Sequence, residues 1–320
     1  MKALFVTDIR ESRPVDSVFL VAAKNHGVTK NGSGYLILKL MDRSGEIEAR
    51  VWERAEELGR AFDRNDFVRV RGQGTLYQGR VQIRVQDIAR VDESEAAAED
   101  FLVRSQSDPD QMAEELMAIL RNMKDPHLRA LAEAFFGDET FMDLFKRAPA
   151  GKSIHHSYLG GLLEHTLSLL RLILKVVENY HGIDVDLLLM GGFLHDIGKI
   201  YEFSYDRAVE YTDRGQLLGH LVMETEIVND KIKTVPDFPE ELAMLLKHMI
   251  VSHHGSLEFG SPKLPQTLEA VMLHYLDDLD GKIQSIQSLL RKEAASRWTS
   301  FHRAYERSFF RGRQEDDNED

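Results

Sequence analysis

The sequence predicts two unlike parts, a five-stranded β-barrel at the N-terminus and an all-α bundle behind it. Three observations carry that prediction. Through residue 91, short runs of β-branched and aromatic residues alternate with glycine-bearing turns. Beyond residue 109, apolar residues recur at the spacing of an amphipathic helix. In that second stretch histidines and aspartates return at intervals long enough for a helix, a turn and a return. With 320 residues the chain has room for two domains.

The strand-like runs are 18–23, 35–40, 47–52, 67–72 and 81–88, punctuated by Asn31-Gly32-Ser33-Gly34, Ser44-Gly45 and Gln78-Gly79. A short helical stretch, 54–62, falls between the third and fourth runs. Five strands with a helix after the third is the layout of an OB-fold barrel, assigned to residues 1–91. Strand alternation then assigns faces. Leu36, Leu38, Leu40, Ile47, Ala49, Val51, Val68, Val70, Val81, Ile83 and Val85 point inward, while Tyr35, Lys39, Arg50, Trp52, Phe67, Arg69, Arg71 and Arg84 fall on the opposite face. Aromatic rings among arginines suit single-stranded nucleic acid, whose bases stack while its phosphates pair with cations. An ordinary solvated barrel face carries arginines too.

Net charge is −13, which by itself argues against a nucleic-acid partner, but its distribution reverses the inference. Residues 1–91 hold 16 Lys and Arg against 12 Asp and Glu, a balance of +4; the remainder holds 24 against 41, a balance of −17. Much of the acid lies at 92–100 and at 315–320, runs that read as solvated segments. The absence of cysteine removes disulfides, thiolate zinc sites and cysteine nucleophiles together. No stretch reaches transmembrane length and the first residues lack a long apolar core, so the expectation is a cytoplasmic protein with no membrane partner.

Residues 92–108 read as an acidic linker ending at Ser107-Asp108-Pro109, where Ser107 or Asp108 caps a helix that has Pro109 at its first position. Residues 109–147 read as two helices, with Met112, Leu116, Ile119 and Leu120 on one apolar stripe. Leu159, Leu162, Leu163, Thr166, Leu169, Leu170 and Ile173 form the next stripe, with His165 on its flank. Ala270, Val271, Leu273, Leu276 and Leu279 repeat the pattern around Asp277. Phe301, Tyr305, Phe309 and Phe310 give a last helix an aromatic docking stripe. The helical domain is expected over 109–310 and a disordered acidic tail over 311–320.

Within that domain the most informative feature is His195-Asp196, reached through the apolar run Leu187, Leu188, Leu189, Met190. An adjacent imidazole and carboxylate are the ligand types that hold hydrolytic metals. His165, His220, His253 and Asp277 recur around the pair at gaps of 30, 25, 33 and 24 residues. Helices joined by loops bring one ligand each to a common point, as in bundle-core metal sites. Lys199, one turn beyond Asp196, is placed to meet a phosphate oxygen as a point charge. His155 and His156, ahead of Gly160-Gly161, are candidates for the substrate path.

The pattern His165…His195-Asp196…His220…His253-His254…Asp277 resembles the signature of the HD-domain metal-dependent phosphohydrolases, over roughly residues 150–290. The resemblance implies an all-α fold that hydrolyses phosphate esters at a centre of one or two divalent ions. His165, His195, Asp196 and Asp277 match the ligands of the first ion, and Asp196 bridges to a second held by His220 and His253. His254 competes with or supplements His253, and Asp278 competes with Asp277. An OB domain followed by this HD domain, with the run from His155 to Thr166, resembles the YhaM-type 3′-5′ exoribonucleases over nearly the full chain. That implies single-stranded RNA or DNA as partner and substrate, and manganese as the usual cation, with Mg2+, Fe2+, Co2+, Ni2+ and Zn2+ as the other candidates. The reading leaves room for a homo-oligomer. Two other functions use the same residues: a nucleotide or cyclic-dinucleotide phosphohydrolase with a regulatory barrel, and a non-catalytic nucleic-acid-binding protein.

Overall fold

The computed structural model describes residues 2, 4–29, 31–97, 100–151, 158–205, 207–292 and 296–312. The chain divides into two compact units: Met1–Arg104 with Tyr205–Val209, and Ser105–Ser204 with Glu210–Asp320.

The first unit is a closed barrel. Its strands are β1 (Pro14–Val28), β2 (Gly34–Asp42), β3 (Gly45–Val51), β4 (Phe67–Tyr77) and β5 (Arg80–Arg90), arranged in the order β1-β2-β3-β5-β4. The long β1 makes closure possible, because its first half pairs with β4 and its second half with β2. A bulge between Val21 and Ala23 lets it turn from one neighbour to the other. β3 and β5 complete the barrel as its parallel pair. Every residue assigned inward by alternation lies in or against the barrel core, Val81 being partly buried. Helix α1 (Ala55–Gly59) contributes Ala55 and Leu58 to that core, joined by Phe62 just beyond it.

Alternation fails at one outward position. Phe67 is only 4% exposed, because Phe101 packs on it at a ring-centroid distance of 4.6 Å and Leu20 completes the cluster. The segment 92–108 is therefore not a free linker along its whole length: Phe101 and Leu102 are buried, and the chain joins the helical unit only from Ser105. Covering Phe67 removes apolar area from water, which the acidic composition of the segment conceals.

The second unit is helical. Asp108 accepts hydrogen bonds from the Asp110 and Gln111 amides and starts α2 (Pro109–Arg121). Residues 109–147 hold three helices rather than two, because Asp125-Pro126 repeats the same start signal for α3 (Pro126–Phe136), and Asp138 caps α4 (Glu139–Arg147). Then come α5 (Gly161–Val176), α6 (Val185–Leu194), the single turn α7 (Lys199–Glu202), a two-stranded ribbon of β6 (Phe203–Ser204) and β7 (Glu210–Tyr211), and α8 (Asp213–Leu218). Helices α9 (His220–Ile232), α10 (Glu240–Ser252) and α11 (Leu268–Lys292) follow. α6 is buried continuously from Leu187 to Leu194 and is packed by α2, α3, α5, α10 and α11. It carries no polar stripe because it has no solvent side.

Two further expectations change. On α11, Ala270, Leu273 and Leu276 face the core, but Val271 and Leu279 are exposed. The last aromatic stretch is not a helix: bridges Trp298↔Phe310 and His302↔Arg307 make it a hairpin around the 3-10 turn Arg303–Tyr305. The four-residue spacing of Phe301, Tyr305 and Phe309 mimics a helical stripe, but the Thr299 amide donates to the Phe309 carbonyl at 2.9 Å across the hairpin. His155, His156 and residues 313–320 of the tail lie outside the described residues. No helix among the described residues is long and apolar enough to cross a membrane.

Candidate metal centre and barrel face

The predicted ligands converge from five helices of the second unit. His165 stands inside α5; His195 caps α6 and Asp196 follows it; His220 opens α9; His253 and His254 follow α10; Asp277 stands inside α11. His165, His195 and Asp277 each present a ligand atom within 4.8 Å of the others, and so do His220, His253 and His254. Asp196 lies between the two groups. Its Oδ2 is 3.4 Å from His195 Nε2 and 3.8 Å from His165 Nε2; its Oδ1 is 3.8 Å from His253 Nε2 and 3.9 Å from His220 Nε2. Gly198 makes this approach possible: a Cβ there would sit 2.4 Å from the His220 carbonyl oxygen, so a side chain would push α9 away from Asp196.

Each histidine is oriented by its other ring nitrogen. Nδ1 of His195, His253 and His254 faces the carbonyls of Gly192, Ile250 and Phe259 at 2.9, 2.8 and 3.0 Å. A carbonyl only accepts, so Nδ1 carries a proton in these rings and Nε2 is the nitrogen turned toward the other candidate ligands. Glu202 Oε1 lies 3.0 Å from His220 Nδ1, and Asp280 Oδ2 lies 3.3 Å from His165 Nδ1. Carboxylates behind metal-binding imidazoles fix the ring and raise its basicity.

The donor set fits a divalent cation. Asp196 Oδ1 is buried with no hydrogen-bond partner, and a buried carboxylate oxygen without a donor is costly. Burial opposes ionisation of Asp196, yet Lys199 and His195 beside it hold its carboxyl well below the usual range. Burial above all, with His195 and His254 beside it, drives His253 well below the ordinary histidine value, so its ring stays neutral. Lys199 Nζ donates to Asp196 Oδ2 at 2.6 Å, so its immediate partner is the Asp196 carboxylate.

At the two positions where the sequence offers alternatives, the side chains are placed differently. Asp277 Oδ1 is 3.1 Å from His165 Nε2, whereas Asp278 pairs with Lys282 on the outer side of α11. His254 lies with His253 in the same group, its Nε2 3.2 Å from His220 Nε2. Sequence reasoning missed Glu202, Glu224, His274 and Asp280. Glu224, one turn after His220, is fully buried and accepts from the Gly198 amide at 3.4 Å; burial and the charge of Asp196 push its carboxyl well above the usual range. The spacing of Glu224 four residues after His220 on one helix face was the available signal.

On the barrel, Tyr35 and Trp52 stack at 4.5 Å with Trp52 39% exposed. The Arg50 guanidinium lies 5.8 Å from the Trp52 ring and 4.9 Å from Tyr77, a ring absent from the predicted set. Arg84 is the register partner of Arg50 across β3 and β5. A groove of ≈ 800 Å³ runs beside them, lined by Asn25, Lys39, Arg50, Tyr77, Arg80 and Gln82 among others. Its cations are partly balanced, Lys39 by Glu46 and Arg50 by Glu48. Arg69 and Arg71 are not part of this group; both pair with Asp16 on the β1–β4 ribbon.

A closed five-stranded barrel and a His/Asp centre in a helical bundle define the class, an HD-domain protein with an OB-fold module. The HD domain family model matches residues 162–282, and the model described as an OB-fold nucleic acid binding domain matches 19–91. The 3′-5′ exoribonuclease YhaM of Bacillus velezensis is 33% identical over 97% of this chain and 98% of that protein. YhaM of Bacillus subtilis is 33% identical over the same shares. The chain belongs to the YhaM family of 3′-5′ exoribonucleases. Among solved structures, the second OB-fold domain of replication protein A from Methanococcus maripaludis aligns with 28% of this chain and 94% of its own, at 17% identity and a TM-score of 0.24.

Proposed function

We propose that this protein is a metal-dependent 3′-5′ exoribonuclease of the cytoplasm that hydrolyses single-stranded RNA at the HD centre, with Mn2+ as its working cation. The observation that carries the reading is the placement of Asp196 between two ligand groups, one oxygen toward each. His165, His195, Asp196 and Asp277 would hold one ion, and Asp196, His220, His253 and His254 a second. Bound divalent cations supply the positive charge that a phosphodiester needs as its bond to the leaving oxygen breaks.

The chain's own residues prepare that centre. Glu202 and the Gly192, Ile250 and Phe259 carbonyls hold the imidazoles so that Nε2 faces inward. Lys199 holds Asp196 Oδ2, leaving Oδ1 without a protein donor. The Tyr35, Trp52, Arg50, Tyr77 and Arg84 surface provides rings and cations for a strand, and Lys39 joins them along the groove. Incubation of 5′-labelled single-stranded RNA and DNA with Mn2+, Mg2+ or no metal tests the reading. A ladder shortening from the 3′ end of RNA, dependent on added cation, is expected. Cleavage unaffected by chelation, or none of either strand, defeats it.

A further inference from the structure

His253, His254 and Asp277 also line a cleft of ≈ 480 Å³, whose other lining includes Phe259, His274 and Tyr305. That volume lies in the range of sites for a single small ligand, roughly 300–1,000 Å³. Its walls are tied to the ligand segment itself. The His254 ring that faces His220 through Nε2 uses Nδ1 to hold the Phe259 carbonyl at 3.0 Å. His274 Nδ1 is 2.9 Å from the His253 carbonyl. Its ring lies flat on Gly255, where a Cβ would come within 2.2 Å, and Gly255 has φ +75°, so a side chain there is excluded twice. Tyr305 comes from the C-terminal hairpin, braced edge-on by Phe309 at 5.3 Å.

Phe259 is 72% exposed and lines the same cleft as His253, His254 and Asp277, so its ring is open to a ligand there. We propose that this cleft seats the 3′-terminal nucleoside of the substrate strand, with its base against Phe259 and Tyr305 and its ribose against His274. The inference rests on the exoribonuclease reading and names the residues that receive the strand's end. Chemistry supports the occupant: a base offers an apolar face to rings whatever its identity, and the phosphate attached to that nucleoside then falls near His253, His254 and Asp277 in the cleft lining. A site of this volume takes one terminal unit, which suits removal from an end.

The test compares an RNA ending in 3′-adenosine with the same strand ending in a 3′-abasic ribose, using the full chain with Mn2+. Wild-type protein should remove the adenosine end with kcat/KM about fivefold higher or more, the effect of one stacked base. Phe259→Ala and Tyr305→Ala should each lose that preference through KM, while Phe259→Tyr and Tyr305→Phe keep it. Calorimetric binding of adenosine 5′-monophosphate against ribose 5-phosphate gives a readout apart from turnover, with the same preference expected in wild type and lost in the two alanine variants. Melting curves establish that each variant is folded. A preference retained in both alanine variants, or missing from wild type in both measurements, overturns the cleft assignment. Absence of 3′-end removal with the nucleotide preference intact overturns the exonuclease reading instead.

Discussion

Glu202 grips His220 twice through one oxygen: its Oε1 accepts from the His220 backbone amide at 3.1 Å and faces the ring Nδ1 at 3.0 Å. The first bond starts α9 and the second aims its opening side chain, so one buried carboxylate sets both the helix and the imidazole. Glu202→Gln keeps an acceptor but removes the charge. Affinity for the second cation should fall about 10- to 100-fold, with the first site little affected. Titration of metal-stripped protein with Mn2+, followed by electron paramagnetic resonance, resolves the two stoichiometric steps. Two unchanged steps would refute a role for Glu202 in holding His220.

Asp196→Ala should remove far more activity than loss of a peripheral ligand, because this residue faces both ligand groups. Removing His254, which faces only one, should cost less. Turnover of a small phosphodiester and metal content by mass spectrometry check both variants. Substantial hydrolysis by a folded Asp196→Ala protein would sink the bridging role.

Glu224 gives a pH signature in metal-stripped protein. Its folded pKa lies well above the ordinary 4.5, so the stabilising protonated form is complete below about pH 4.5 and is lost as pH rises through the folded value. Glu224→Gln cannot ionise, so its melting temperature relative to wild type should climb as pH rises above that point. Parallel melting profiles for the two proteins would contradict a protonated, buried Glu224.

Trp52→Ala should cost about 1–3 kcal/mol of single-strand affinity, nearly independent of sequence. Tyr35 already covers one Trp52 face, so an incoming base meets the other. Quenching of tryptophan fluorescence on adding oligonucleotide, compared with a melting curve of the variant, separates stacking from packing. Unquenched fluorescence together with a large loss of stability would assign Trp52 to the barrel wall.

Arg50→Ala and Arg84→Ala should each lower the slope of log affinity against log salt by about 0.7 for a single strand, one released phosphate contact apiece. Arg69→Ala should change it less, because Arg69 stands with Asp16 on the β1–β4 ribbon, outside the Tyr35, Trp52, Arg50 and Tyr77 group. Binding isotherms at four or more salt concentrations decide the ranking.

The sequence by itself determined the barrel's five strands, the helical class of the remainder and the list of candidate ligands that the fold brings together. Those depend on periodicity and residue chemistry, which are local: Leu36, Leu38 and Leu40 alternate inward because successive Cβ atoms point to opposite faces. Tertiary structure decided what no local window contains. Phe67 is buried because Phe101 arrives from 34 residues away, and the Phe301–Phe310 stretch folds back on itself because its backbone finds partners across a turn. Asp277 rather than Asp278 meets His165 because the rotation of α11 is set by the packing of Ala270, Leu273 and Leu276. Glu202 and His274 carry no motif of their own; they join the site only when α7 and α11 bring them to His220 and to the His253 carbonyl.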